Sequence, residues 1–140
     1  MSEAAANETR GEVDIEFEGQ GRFVLRPSYE AMQKAEKETG KTAVELYRAA
    51  AGGALSNRDA AIVTAEFIRA WGKASDNAVA RGVSTERIGE LIYEAGLMNV
   101  LGRLAIVLGW AIVGGCKADG SLKGEATATG TMTTAAPVAG

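Results

Sequence analysis

From Gly11 the chain alternates strictly: Val13, Ile15 and Phe17 are apolar, with Glu12, Asp14, Glu16 and Glu18 between them. A period of two sends successive side chains to opposite sides of a strand, so this run predicts a β-strand with one dry and one wet face. Gly19-Gln20-Gly21 reads as a turn, and Phe23 and Leu25 resume the alternation within Arg22 to Arg26. Together these segments predict a β-hairpin over residues 11–26 with an apolar face of Val13, Ile15, Phe17, Phe23 and Leu25. A lone hairpin is marginal in water, so that face must lie on helices.

The period then changes to that of a helix. Pro27 closes the second strand and suits the first residue of a helix, where its missing N–H would be unpaired in any case. A first helix is expected from Ser28 to Thr39, stopped by Gly40 in a left-handed conformation. Thr42 with Glu45 three residues later forms a capping box, opening a second, short helix that ends near Gly52-Gly53. Ser56 is the next N-cap candidate; Asp59 in the first turn favours the helix dipole, and Ile62, Val63, Phe67 and Trp71 share one side. The polar stretch 73–82 after Gly72 signals helix only weakly, and Ser84 then opens a helix with the stripe Ile88, Leu91, Ile92 and Ala95. Gly96 ends or kinks that helix.

From Leu97 to Val113 only Asn99 and Arg103 are neither apolar nor glycine, so no polar stripe marks a solvent side. The uninterrupted apolar part, Leu104 to Cys116, spans 13 residues. At about 1.5 Å per residue it reaches roughly 20 Å, short of a hydrocarbon core of about 30 Å, which favours a helix inside a bundle over a membrane span. A helix apolar on every side needs cover on every side. The neighbouring helices are short, so a second polypeptide is expected to shield it, on a surface made of Leu97, Val100, Leu101, Leu104, Val107, Leu108 and Trp110. The small residues Gly102, Ala105 and Gly109 would admit a close helix approach, which points to a homo-oligomer or a protein client.

The pattern therefore predicts an α+β fold: an N-terminal hairpin packed on a small bundle of four to five helices. Residues 1–10 are expected as a flexible leader, 11–116 as a single domain with its helices over 27–115, and 117–140 as a disordered Thr/Ala/Gly-rich tail. The leader lacks the positive start and apolar stretch of a secretory signal, which implies folding in the cytoplasm. Hydrophobic residues make up 46% of the 140 and charged residues 24%, within the globular range.

Composition removes much chemistry. The chain has no histidine and one cysteine, so the commonest general base, the commonest metal ligand and any intrachain disulfide are missing. Cys116 has no histidine to activate it and reads as an inert thiol. Residues 1–26 hold six acids and three bases, which accounts for the whole net charge of -3, while 27–116 hold ten of each. That balance speaks against nucleic acid as a partner, which needs a concentrated positive field. Arg58, Arg69, Lys73, Arg81, Arg87 and Arg103 alternate with acids, and the 73–82 connection is too long for a helix-turn-helix. Glu12, Asp14, Glu16 and Glu18 resemble a cation site, but alternate residues lie about 7 Å apart and no calcium-loop pattern accompanies them; a solvated face that keeps the hairpin from pairing is the simpler reading. No catalytic residue, cofactor site or metal site can be assembled, and a non-enzymatic role is expected.

The order of acidic hairpin, Arg-Pro, short helices and apolar helix is similar to that of the tail assembly chaperones of tailed phages and gene transfer agents. The resemblance lies in Gly11-Glu12-Val13, then Phe23-Val24-Leu25-Arg26-Pro27-Ser28-Tyr29-Glu30-Ala31 running into a helix with Glu36 and Thr39-Gly40. It continues through Ala49 to Gly53, Leu55-Ser56-Asn57-Arg58-Asp59 and Ile88-Gly89-Glu90-Leu91-Ile92-Tyr93-Glu94-Ala95-Gly96-Leu97, covering about residues 11–113. The resemblance implies a non-enzymatic protein that binds the tape measure protein, covers its hydrophobic helices and helps recruit the tail tube protein in the host cytoplasm. It carries no catalytic residues. A structural tail component retained in the virion is the alternative it leaves open; a DNA-binding regulator and a membrane-associated protein fit less well. The apolar segment after Gly96 and the Thr/Ala/Gly tail depart from that family pattern.

Overall fold

Two antiparallel strands and six helices follow one another along residues 11–114, the part of the chain that the computed structural model describes. The leader 1–10, the tail 117–140 and Cys116 lie outside the described residues. Strand β1 (Val13–Phe17) pairs with β2 (Gly21–Leu25), with Val13 opposite Leu25, Ile15 opposite Phe23 and Phe17 opposite Gly21. The rings of Phe17 and Phe23 meet edge to face at 6.0 Å, so the expected apolar face forms.

The other face is not simply wet. Glu12 and Arg26 are both buried and ion-paired at 3.0 Å. Val24, opposite Asp14, is also fully buried. Only the turn end, with Glu16 and Glu18, is exposed. Two charges taken out of water together are tolerable because each satisfies the other.

Helices α1 (Tyr29–Thr39), α2 (Ala43–Ala51), α3 (Asn57–Ala74) and α5 (Thr85–Ala95) start where side-chain caps permit. Ser28, Thr42, Ser56 and Ser84 each accept a bond from the backbone N–H three residues on. Such a cap contributes about 1 kcal/mol. Both halves of the Thr42–Glu45 capping box are present, and Gly40 stops α1 at φ 73°. Pro27 sits one residue before the Ser28 cap, outside the helix, because the cap hydroxyl fixes the first turn beyond it.

The bundle has six helices where four or five were expected, because the polar stretch is itself helical in part. Helix α3 runs through Gly72 to Ala74, and α4 (Ala78–Arg81) forms a single turn capped by Asn77. Gly72 is needed for contact: a Cβ there would stand 2.3 Å from the Arg81 nitrogen and 2.8 Å from the Ala80 carbonyl carbon.

Helix α3 is the centre of the domain, packing against α1, α4, α5, α6 and β2. Its residues from Asp59 to Ile68 are all buried, and the Phe67 carbonyl accepts a bond from the Arg26 backbone at 3.0 Å, tying the hairpin to it. Helix α6 (Leu97–Ile112) packs on α2, α3, α5 and β1.

Candidate protein-binding surface

The apolar helix α6 begins at a sharp corner. Gly96 adopts φ 95°, α5 and α6 are bent by 118°, and the Asn99 amide donates to the Ala95 carbonyl across the break at 2.8 Å. Among the described residues no single helix is long and apolar enough to cross a membrane. Past the corner α6 lies antiparallel on α2. The end of Met98 stands beside Gly53 near the C-terminus of α2, and Tyr47, further back on α2, lies against Gly109.

This packing divides α6 lengthwise. Val100, Leu101, Leu104, Val107 and Leu108 are at most 3% exposed and belong to the core. They cannot form the partner surface expected of them. At 3.6 residues per turn, positions 100, 101, 104, 107 and 108 fall on one stripe, and the chain's own α2, α3, α5 and β1 cover it. Leu97 is half-buried beside that core, and of the seven expected residues only Trp110 stays exposed, at 37%.

The opposite stripe is also apolar and is only partly covered by the described residues. Ile106 is 51% exposed and Val113 69%, and together with Gly102 and Trp110 they recur at helical spacing along the outward side. Met98 and Ile112 flank it. A Cβ at Gly102 would meet nothing within 4 Å, so the backbone there is open to close approach; Gly109, against Tyr47, is not. The one cation of α6, Arg103, reaches Asp14 of β1 at 3.6 Å. The phase of the sequence held a signal for this face: once 100, 101, 104, 107 and 108 point inward, 102, 106, 110 and 113 must point outward.

The four hairpin acids do not act together. Glu12 is buried on Arg26, Asp14 lies between Arg22 at 3.5 Å and Arg103, and Glu16 and Glu18 are exposed. Among the described residues no group of three or more acids or cysteines has the placement to hold a metal ion.

Depressions also lie away from α6. A cavity of about 160 Å³ is lined by Glu30, Lys34, Glu66, Arg69, Lys73 and Arg81. Its charges are already paired: Glu30 with Lys34 and Lys73, Glu66 with Arg69, and Arg81 with Asp76. Lys73 holds the Glu30 carboxyl below its ordinary range, whereas burial, reinforced by the neighbouring Glu38, pushes that of Glu66 up. A broader groove of about 660 Å³ runs between α3 and α5 over Ala61 and Gly89. The outward stripe of α6 and this groove both offer apolar surface to another molecule. No family model matches the chain, and no curated protein or solved structure shows significant similarity to it.

Proposed function

We propose that the protein is a non-enzymatic tail assembly chaperone of a tailed phage or gene transfer agent. In this role it covers hydrophobic helices of the tape measure protein in the host cytoplasm and helps bring tail tube subunits to them. The sequence resemblance over residues 11–113 supports the family, and the observation that carries the mechanism is the partly exposed apolar stripe of α6, Ile106, Trp110 and Val113. An amphipathic client helix laid on it would bury the exposed parts of these side chains, with Gly102 letting the two backbones draw close.

The energetics suit a transient helper. Covering on the order of 300 Å² of apolar surface favours association by about 7.5 kcal/mol at ~25 cal/mol per Å². Lost translational and rotational freedom offsets much of that. A reversible complex results, held long enough to keep client helices apart and released when tail subunits replace it.

The test is co-expression with the tape measure protein of the same particle. The wild-type chain should keep that protein in solution and co-purify with it, while a variant carrying Ile106→Ala and Trp110→Ala should not. Its presence at fixed stoichiometry in finished particles would instead favour the structural reading.

A further inference from the structure

We propose that the groove between α3 and α5 is a second docking site, one that takes a basic amphipathic helix of a partner protein. None of the residues lining it belongs to α6. Its floor is apolar and low because Ala61 and Gly89 bring the two helices together: a Cβ on Gly89 would stand 3.3 Å from that of Ala61. With no side chain at position 89 and only a methyl at 61, a third helix can settle between the flanking ridges. Tyr93, 77% exposed on the rim, offers a ring to cover aliphatic side chains.

Charge complementarity selects the occupant. Glu86, Glu90 and Glu94 line one wall at intervals of four residues, a single ridge of α5 about 12 Å long. Glu90 is paired with Arg87 at 3.0 Å, but Glu86 and Glu94 have no cationic partner among the described residues. Beyond Glu94 an adjoining cleft carries Glu16 and Glu18 from the hairpin, so the acidic rim continues past the end of the groove. The cation on the opposite wall, Arg58, is held by Asp59 at 3.1 Å and the Glu38 carbonyl at 3.3 Å.

A ridge of carboxylates every fourth residue matches lysines or arginines every fourth residue on a helix alongside, whose aliphatic stripe then faces the floor. The same acids repel phosphate, which argues against nucleic acid and anionic lipid as occupants.

The experiment is fluorescence polarisation with the full chain. The probe is a labelled helix-forming peptide of about 18 residues with a leucine/alanine face flanked by lysines at i and i+4. Controls are its glutamate-for-lysine counterpart and a scrambled lysine peptide of equal composition. The lysine helix should bind saturably, more weakly as salt rises, and at least about tenfold tighter than either control. Replacing Glu86→Lys and Glu94→Lys, both on the helix surface, should weaken it by a similar factor, while Ile106→Ala with Trp110→Ala should leave it unchanged. Equal binding of the scrambled peptide, indifference to the α5 reversal, or loss on changing α6 would overturn the proposal. So would a salt-sensitive self-association abolished by the reversal, which would make the occupant a second copy, or binding to anionic vesicles through these residues.

Discussion

Replacing Leu104 and Ile106 by alanine, one at a time, separates the two sides of α6. Leu104 is fully buried and Ile106 is 51% exposed, only two residues away on the same helix. Both variants gain alanine, and because isoleucine favours the helix less than leucine, propensity helps Ile106→Ala by only a few tenths of a kcal/mol more, far less than the difference expected from burial. Leu104→Ala removes three buried carbons, worth about 2.4 kcal/mol at ~0.8 kcal/mol each, and leaves a cavity that the surrounding helices can only partly close. The combined loss should fall between about 2.7 and 5 kcal/mol. Ile106→Ala gives up only the half of its side chain that the fold already shields, and should cost no more than about 1 kcal/mol. Urea unfolding followed by far-ultraviolet circular dichroism reads both, provided the dependence on denaturant is unchanged so that the midpoints report stability alone. Equal losses in the two variants, or a Leu104→Ala variant within about 0.5 kcal/mol of the parent, would refute the division of α6 into an inner and an outer side.

Gly72→Ala should destabilise by about 1–3 kcal/mol, because the new methyl meets the α4 backbone. The same change in an unobstructed helix would stabilise by up to about 1 kcal/mol, so the sign of the shift in thermal midpoint decides. Thr64→Val should stabilise by about 1 kcal/mol, since the Thr64 hydroxyl is buried with no hydrogen-bond partner among the described residues; a loss of stability would show that it has one. Glu66 takes up its proton more readily in the fold than its ordinary value of 4.5 allows, chiefly through burial and then through Glu38, against the opposing pull of Arg69 and Lys34. Its contribution to stability is therefore full below the unfolded value and lost as pH rises through the raised one. Glu66→Gln should be more stable than the parent at neutral pH, with the difference vanishing below about pH 4; chemical unfolding at the two pH values checks this.

What the sequence made legible was local. Thr42, Ser56 and Ser84 announced helix starts because each cap bonds a backbone N–H only three residues away; at the first helix Pro27 drew the reading instead, and the cap is Ser28, one residue later. Glycine was legible where it stops a helix, at Gly40, but misleading at Gly72, where the reason for it lies in α4 and not in the helix that contains it. The single turn of α4 is too short to show a period, although Asn77 and Gly82 bracket it. Alternation placed Glu12 on a wet face; its burial depends on Arg26, fourteen residues away and opposite it across the hairpin. For α6, composition gave no polar stripe from which to tell inside from outside. Trp110 was found, but five of its companions belonged to the core, because sidedness was set by α2, α3, α5 and β1 packing from one side. The groove over Ala61 and Gly89 joins two helices distant in sequence and had no local sign at all.

Tryptophan emission tests the open face of α6 most directly. The chain has two tryptophans, Trp71 buried and Trp110 exposed, so in a Trp71→Phe variant shown to retain its helical circular dichroism only the outward face reports. The expected result is the emission of a partly exposed indole, open to quenching by acrylamide, that moves to shorter wavelength and becomes protected in saturable fashion as a helical segment of the tape measure protein is added. Emission as resistant to acrylamide in the free monomer as that of a fully buried indole, or emission that stays unchanged while that segment binds, would contradict the assignment of α6 as the surface that receives a client.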